Sequence, residues 1–237
     1  MLPNLLYICA IACIRSIEFV IPPYSNANFA GFLSHAGHTY KSNSIDEIQT
    51  FHLENLSKLI NLKNHFGQNL ILSTGDSPSV LTQVDFNGID ELRPGVFVFN
   101  DLMINKLTKI DKCNISVAVA CPVISRYTSR NQILIYGGAV HLSKDYLLDA
   151  DCNPYYGEAY RLDSYHWETT SDNYIGKVTS LSQEHGLITL DESSNYIPKQ
   201  SEMIAILPIH SCLTADKYNS YLLDGKIVQN MNHTKCN

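Results

Sequence analysis

The feature that most constrains this chain is a change of hydrophobic period partway along it. Up to about Asp101, short apolar runs alternate with a longer helical one; beyond it the apolar runs are short, β-rich and separated by turn residues. In the first part, Phe29–Leu33 and Asn69–Ser73 read as strands. Between them, Ile45–His65 spaces Ile48, Phe51, Leu53, Leu56, Leu59 and Ile60 as a helix would. A further strand is expected within Asp90–Asn100. This alternation marks βα units of a parallel sheet or barrel. In the second part, Ile115–Ile124, Gln132–Gly137, Tyr174–Leu181, Leu187–Leu190, Met203–Leu207 and Tyr221–Gln229 suit a small antiparallel barrel or sandwich. The expected boundary falls near Asp101–Cys113, dividing the chain into residues 1–105 and 106–237.

The start of the chain reads as a helix over Leu5–Phe19 that Pro22-Pro23 stops. Leu2 to Val20 is apolar enough to suggest a signal peptide. Yet no Lys or Arg precedes the run, Arg15 and Glu18 interrupt it, and no small-residue cleavage site follows, so a buried helix is expected.

The 237 residues suffice for one large domain or two small ones, and 45% hydrophobic against 17% charged residues is a globular balance. The net charge of -6, with 17 basic residues scattered along the chain, argues against a nucleic-acid partner. Seven cysteines without a C-x-x-C pair point to a reducing compartment, so a cytoplasmic protein without a membrane anchor is expected. The Asn-x-Ser/Thr sites at Asn55, Asn114 and Asn232 are read as chance.

Four segments carry chemistry. In Leu207-Pro208-Ile209-His210-Ser211-Cys212 an extended chain would put His210 and Cys212 on one face, offering an imidazole nitrogen and a thiolate to a zinc ion. A buried His and a buried Cys on one strand is the plainer alternative. Ser73-Thr74-Gly75-Asp76-Ser77-Pro78-Ser79 follows an apolar strand; its small and hydroxyl residues suit a phosphate site, and equally an ordinary turn. His35-Ala36-Gly37-His38-Thr39-Tyr40 lies where a strand should end, the catalytic edge of an α/β barrel, and reads equally as a capping loop. Ser182-Gln183-Glu184-His185-Gly186 is a polar cluster between two strands, a site or a turn. No Walker A, G-x-G-x-x-G or G-x-S-x-G motif occurs.

In order, these segments together with Glu91-Leu92-Arg93-Pro94-Gly95-Val96-Phe97-Val98-Phe99-Asn100-Asp101 resemble the successive signatures of the D-serine dehydratase/D-threonine aldolase family. Tyr136-Gly137-Gly138-Ala139-Val140-His141-Leu142-Ser143-Lys144-Asp145 stands where that family has a glycine-led strand. The resemblance runs from Phe29 to near Asn230. It implies an α/β plus all-β protein: part of an alanine-racemase-like (β/α)8 barrel, then a β-rich antiparallel C-terminal domain. It also implies pyridoxal 5'-phosphate (PLP), a divalent metal (Zn2+ or Mn2+), a D-amino acid substrate and a homodimer.

Carried over by motif, His210 and Cys212 would ligate the metal, and Tyr40, Ser73, Gly75 and Ser77 would lie near the cofactor phosphate. His185 and Gln183 would face the substrate. The implied activity is a lyase reaction on D-β-hydroxy amino acids: dehydration of D-serine, or aldol cleavage of D-threonine or 3-hydroxyaspartate type. Cys212, where aldolase members tend to have a carboxylate, favours dehydration. An eight-stranded barrel needs about 200 residues, and 100 precede Asp101. Neither Lys41 nor Lys144 occupies the family's lysine position, so the half that carries that lysine is expected to be missing. The alternative is a non-catalytic metal-binding fragment or a partner subunit of such an enzyme.

Overall fold

The computed structural model describes the backbone of residues 5–9 and 28 and all of residues 29–83 and 85–230. The chain forms two compact units, Met1–Phe97 and Val98–Asn237.

The first unit is a parallel sheet with helices. Its strands β1 (Leu5–Cys9), β2 (Asn28–Ser34), β3 (Ile71–Thr74) and β4 (Glu91–Leu92) lie side by side in chain order. The helix expected from Leu5 is thus corrected to a strand, and the rest of that expectation lies outside the described residues. Strands of parallel sheets read as unbroken apolar runs, so Leu-Leu-Tyr-Ile-Cys has no period to separate strand from helix.

Helix α1 (Ile45–Phe66) starts where Ser44 accepts the Glu47 amide at 3.1 Å and stops at Gly67, whose φ of 139° few other residues adopt. It buries Ile48, His52, Leu59 and Leu62, whereas Leu53, expected on that face, is 59% exposed. Phe32 and Leu72 of the sheet pack on Leu59 and Leu62 to form the core of the unit.

The first unit also holds the short helix α2 (Ser77–Thr82), and the second unit opens with helix α3 (Leu102–Thr108). Its strands are β5 (Val119–Tyr127), β6 (Gln132–Tyr136), β7 (Leu147–Leu148), β8 (Pro154–Tyr155), β9 (Gly157–Arg161), β10 (Tyr174–Leu181), β11 (His185–Leu190), β12 (Met203–Pro208), β13 (Ser220–Leu223) and β14 (Lys226–Gln229). Six of them close a barrel in the order β10-β11-β6-β5-β12-β9, all neighbours antiparallel.

Alternating residues such as Val119, Cys121, Ile133, Ile135, Ile188 and Ile206 fill its interior. Strand β12 is buried on both faces: Ile204 and Ile206 point inward, while Leu207 joins Leu102, Ile115 and Tyr160 in a second cluster. Its run Met-Ile-Ala-Ile-Leu-Pro is accordingly continuous rather than alternating. Two short helices, α4 (Ala139–Leu142) and α5 (Ser211–Ala215), follow β6 and β12. No helix among the described residues is long and apolar enough to cross a membrane.

Candidate functional site

The carboxyl ends of β2, β3 and β4 gather the polar residues of the first unit. Ser34 Oγ donates to Asn55 Oδ1 at 2.7 Å, and Asn55 Nδ2 donates to Thr74 Oγ1 at 3.1 Å. Ser73 Oγ donates to Glu91 and accepts from Arg93 Nε at 2.6 Å. Beyond β3, Asp76 accepts the Ser79 amide at 2.9 Å and the Thr39 hydroxyl at 2.7 Å, so Gly75-Asp76-Ser77-Pro78 is the start of α2 rather than a plain turn. His35 Nδ1 donates to the Gly75 carbonyl at 2.7 Å, which fixes that nitrogen as the protonated one. A side chain on Gly75 would meet the Arg93 backbone at 2.5 Å, so only glycine lets these two loops approach.

The structure therefore brings Tyr40, Gly75 and Ser77 together: the Ser77 amide points to the Tyr40 phenol oxygen at 3.4 Å. Ser73 differs. Its hydroxyl is fully buried and both donates and accepts within the sheet, so it braces β3 against β4. Ser77 Oγ accepts the Val96 amide at 3.2 Å and keeps its proton to donate. Ser79 Oγ is buried without a partner among the described residues. A phenol, two hydroxyls and a helix start are a donor set that fits a phosphate ester.

In the second unit, His210 and Cys212 do not share a strand face as expected. Strand β12 ends at Pro208, His210 caps α5, and Cys212 lies in its first turn. The cause is Asp101: its buried carboxylate accepts the Ile104 amide that starts α3 and the Ser211 amide that starts α5, both at 2.9 Å. The chain is thereby bent into a helix one residue after His210. Burial raises the Asp101 pKa, the two amides and the nearby His210 working against it.

The imidazole and thiol still meet, because the turn folds Cys212 back to hydrogen-bond His210. That bond, followed by one from Asp145 (Nδ1 to Oδ2, 2.8 Å), raises the His210 pKa to about 9 against the opposing cost of burial. His210 and Cys212 are both partly exposed. An adjoining, partly exposed imidazole and thiol fit a divalent metal of zinc type with positions left for water or substrate. Among the described residues no group of three or more His, Cys, Asp or Glu side chains is arranged to hold a metal.

His185 and Gln183 sit on the β10–β11 hairpin, away from any strand interior. The His185 ring stands edge-on to Tyr136 at 5.7 Å, and Tyr136 contacts His141 at 4.9 Å. Gln183 borders an open groove of about 530 Å³ with Ser143, Lys144, Leu213 and Lys217. Asp101 and Asp145 were missed as parts of this site by sequence reasoning; both lie inside motif segments, but no local pattern distinguishes a carboxylate that reaches across the fold.

A parallel α/β unit followed in the chain by a closed antiparallel barrel is an order of units with counterparts among solved structures. A crystal structure of an alanine racemase-like protein from Idiomarina loihiensis aligns with a TM-score of 0.71 and 27% identity, over 84% of this chain and 54% of that one. Within that class, residues 116–223 match the family described as a putative serine dehydratase domain. The resemblance to the D-serine dehydratase/D-threonine aldolase family thus holds, and the chain is similar to named lyases.

D-serine dehydratase of Dictyostelium discoideum is 28% identical over 88% of this chain and 54% of its own length. D-threo-3-hydroxyaspartate dehydratase of Delftia sp. HT23 shares the fold, with a TM-score of 0.69 at 20% identity over 86% of this chain and 56% of that one. A cysteine-to-alanine variant of that dehydratase has been solved in a metal-free form. The chain spans about half the length of the curated relatives it matches.

Proposed function

We propose that this chain is the C-terminal portion of a PLP- and divalent-metal-dependent lyase that dehydrates a D-β-hydroxy amino acid such as D-serine. The observation that carries the reading is the imidazole–thiol pair of His210 and Cys212, held in one turn beside a serine-dehydratase-type barrel. The first unit is read as part of the PLP-binding (β/α)8 barrel, with its parallel strands in chain order as that fold requires.

In this reading His210 and Cys212 hold zinc or manganese. Tyr40, Gly75 and Ser77 hold the phosphate of PLP, with Ser73 bracing the loop from below. His185 and Gln183 border the substrate. Once bound, the cofactor would draw electrons from the substrate's α-carbon while the metal polarised its β-hydroxyl. A homodimer is the assembly proposed with it.

Two measurements test this. The protein loaded with zinc should carry close to one ion per chain by elemental analysis, and a His210→Ala/Cys212→Ala variant should carry none. Wild type that retains no transition metal after loading would remove the metal from the proposal. Borohydride reduction of the protein from its native source, followed by peptide mapping, should place pyridoxyl-lysine on a sequence outside these 237 residues. A pyridoxyl-lysine at Lys41 or Lys144 would show instead that this chain carries its own cofactor lysine.

A second reading, a non-catalytic metal-binding chain or partner subunit, is favoured by the surroundings of four of the twelve lysines. Lys63 is bound to Asp90, Lys112 to Glu158, and Lys41 and Lys144 lie exposed.

A further inference from the structure

We infer that Asp145 is a positioning residue for the metal site: it holds the His210 ring by Nδ1 so that Nε2 is the nitrogen presented to the ion. The inference rests on the metal reading above and adds to it a residue from a different element. The primary observation is the 2.8 Å contact of His210 Nδ1 with Asp145 Oδ2, the two side chains being 31% and 35% exposed. A histidine bonded at one ring nitrogen has only the other to give a metal, and its ring plane is fixed as well.

Three further features show that the contact is built into the fold. Two residues before Asp145, Ser143 takes φ 79° and ψ 178°, a conformation that is normally left to glycine. Ser143 is nonetheless a serine, 8% exposed, and its hydroxyl accepts the Asp145 amide at 3.3 Å. The strained turn is in addition tied to α5, since Thr214 Oγ1 donates to the Leu142 carbonyl at 2.8 Å. Strain of this kind persists where surrounding contacts over-determine it, and it gathers at functional sites.

The other carboxylate that faces His210 cannot take the role. Both oxygens of Asp101 already accept amides, from Ile104 and Ser211. Asp145 is left as the acceptor on the ring. Its charge also offsets part of the charge that a zinc ion would bring to a half-buried histidine.

The test compares wild type with Asp145→Ala and Asp145→Asn by zinc competition against a chromogenic chelator, with thermal melts of the zinc-free proteins to confirm folding. Long-range 1H–15N spectra of the zinc-loaded proteins identify the ligating nitrogen of His210. We expect zinc to bind Nε2 in wild type, Asp145→Ala to weaken affinity about 10- to 100-fold, and Asp145→Asn, whose amide oxygen still accepts, to fall between. Unchanged affinity in Asp145→Ala, or zinc on Nδ1 in wild type, would overturn the role of Asp145 while leaving the metal site standing. Complete loss of zinc in Asp145→Ala, equal to that of the His210→Ala/Cys212→Ala variant, would make Asp145 a ligand rather than a positioning residue. Wild type without zinc would overturn both this role and the metal reading.

Discussion

Asp101 joins two helix starts with one carboxylate, and its removal strands two amides at once. Loss of a helix cap costs about 0.5–2 kcal/mol, and a buried amide left without a partner about 1–3 kcal/mol. Asp101→Ala should therefore destabilise the second unit by about 2–4 kcal/mol in urea unfolding followed by Trp167 fluorescence. Asp101→Asn, with one acceptor oxygen, should cost less; equal losses in both variants would mean that charge, not amide capping, is what the site needs. His52 gives the first unit a pH dependence. It is 2% exposed, with Nε2 unpartnered and Phe86 edge-on to its ring, and burial lowers its pKa below 6.5. Below pH 6.5 the unfolded chain takes up a proton that the folded chain resists. Stability is thus fully present above that pH and falls as pH drops toward the folded value, by at most about 1.4 kcal/mol per unit. Thermal melts between pH 5 and 8 should show this slope, and His52→Leu should flatten it; an unchanged slope in the variant would assign it to other groups.

Among the elements, the β6–α4 junction is one that requires a glycine. A Cβ on Gly138 would meet the backbone of Gln183, Glu184 and His185 at 2.5 Å, so the β10–β11 hairpin that carries the substrate-side candidates rests directly on it. Gly138→Ala should cost more than about 1 kcal/mol, the scale of an overpacked site. Gly95→Ala, where an added Cβ meets nothing within 4 Å, serves as the control. Similar melting temperatures for the two variants would show that the hairpin can shift. Helix α1 and strand β10 were legible almost to the residue because one has a capping serine and a terminal glycine, and the other a run bounded by turns. Strand β9 (Gly-Glu-Ala-Tyr-Arg) was not, since its buried Glu158 is made tolerable by Lys112 at 2.6 Å and Tyr160 at 2.9 Å, partners far from any local pattern or hidden beside it. The H-x-C pair was found from residue types alone, but its geometry was misread as extended because Asp101, 110 residues away from Ser211, sets the turn. Leu53 was placed in the core by spacing and is exposed, since the buried stripe of α1 runs through His52 instead.

At the scale of the molecule, the two units differ in how completely each satisfies its own backbone. The six-stranded barrel closes on itself and has no edge, and its interior is filled by side chains that are almost wholly buried. The four-stranded parallel sheet is open, and β4, two residues long, lies at its margin among the described residues. Open edges and a smaller core lower the free energy of local opening. Native-state hydrogen exchange should therefore find the slowest amides in β5, β6 and β11, and measurably faster exchange in β2 and β3. Zinc should sharpen the contrast, because a ligand bound at His210 and Cys212 stabilises only the unit that holds both donors, by about 2.7 kcal/mol when its free concentration is a hundred times its dissociation constant. Amides of α5 and β12 should then slow while those of β2 and β3 keep their rates. Equal slowing in both units would mean that they open together, so that the metal holds the sheet closed as well as the barrel. Slowing confined to β2 and β3 would place the zinc outside the His210 turn altogether.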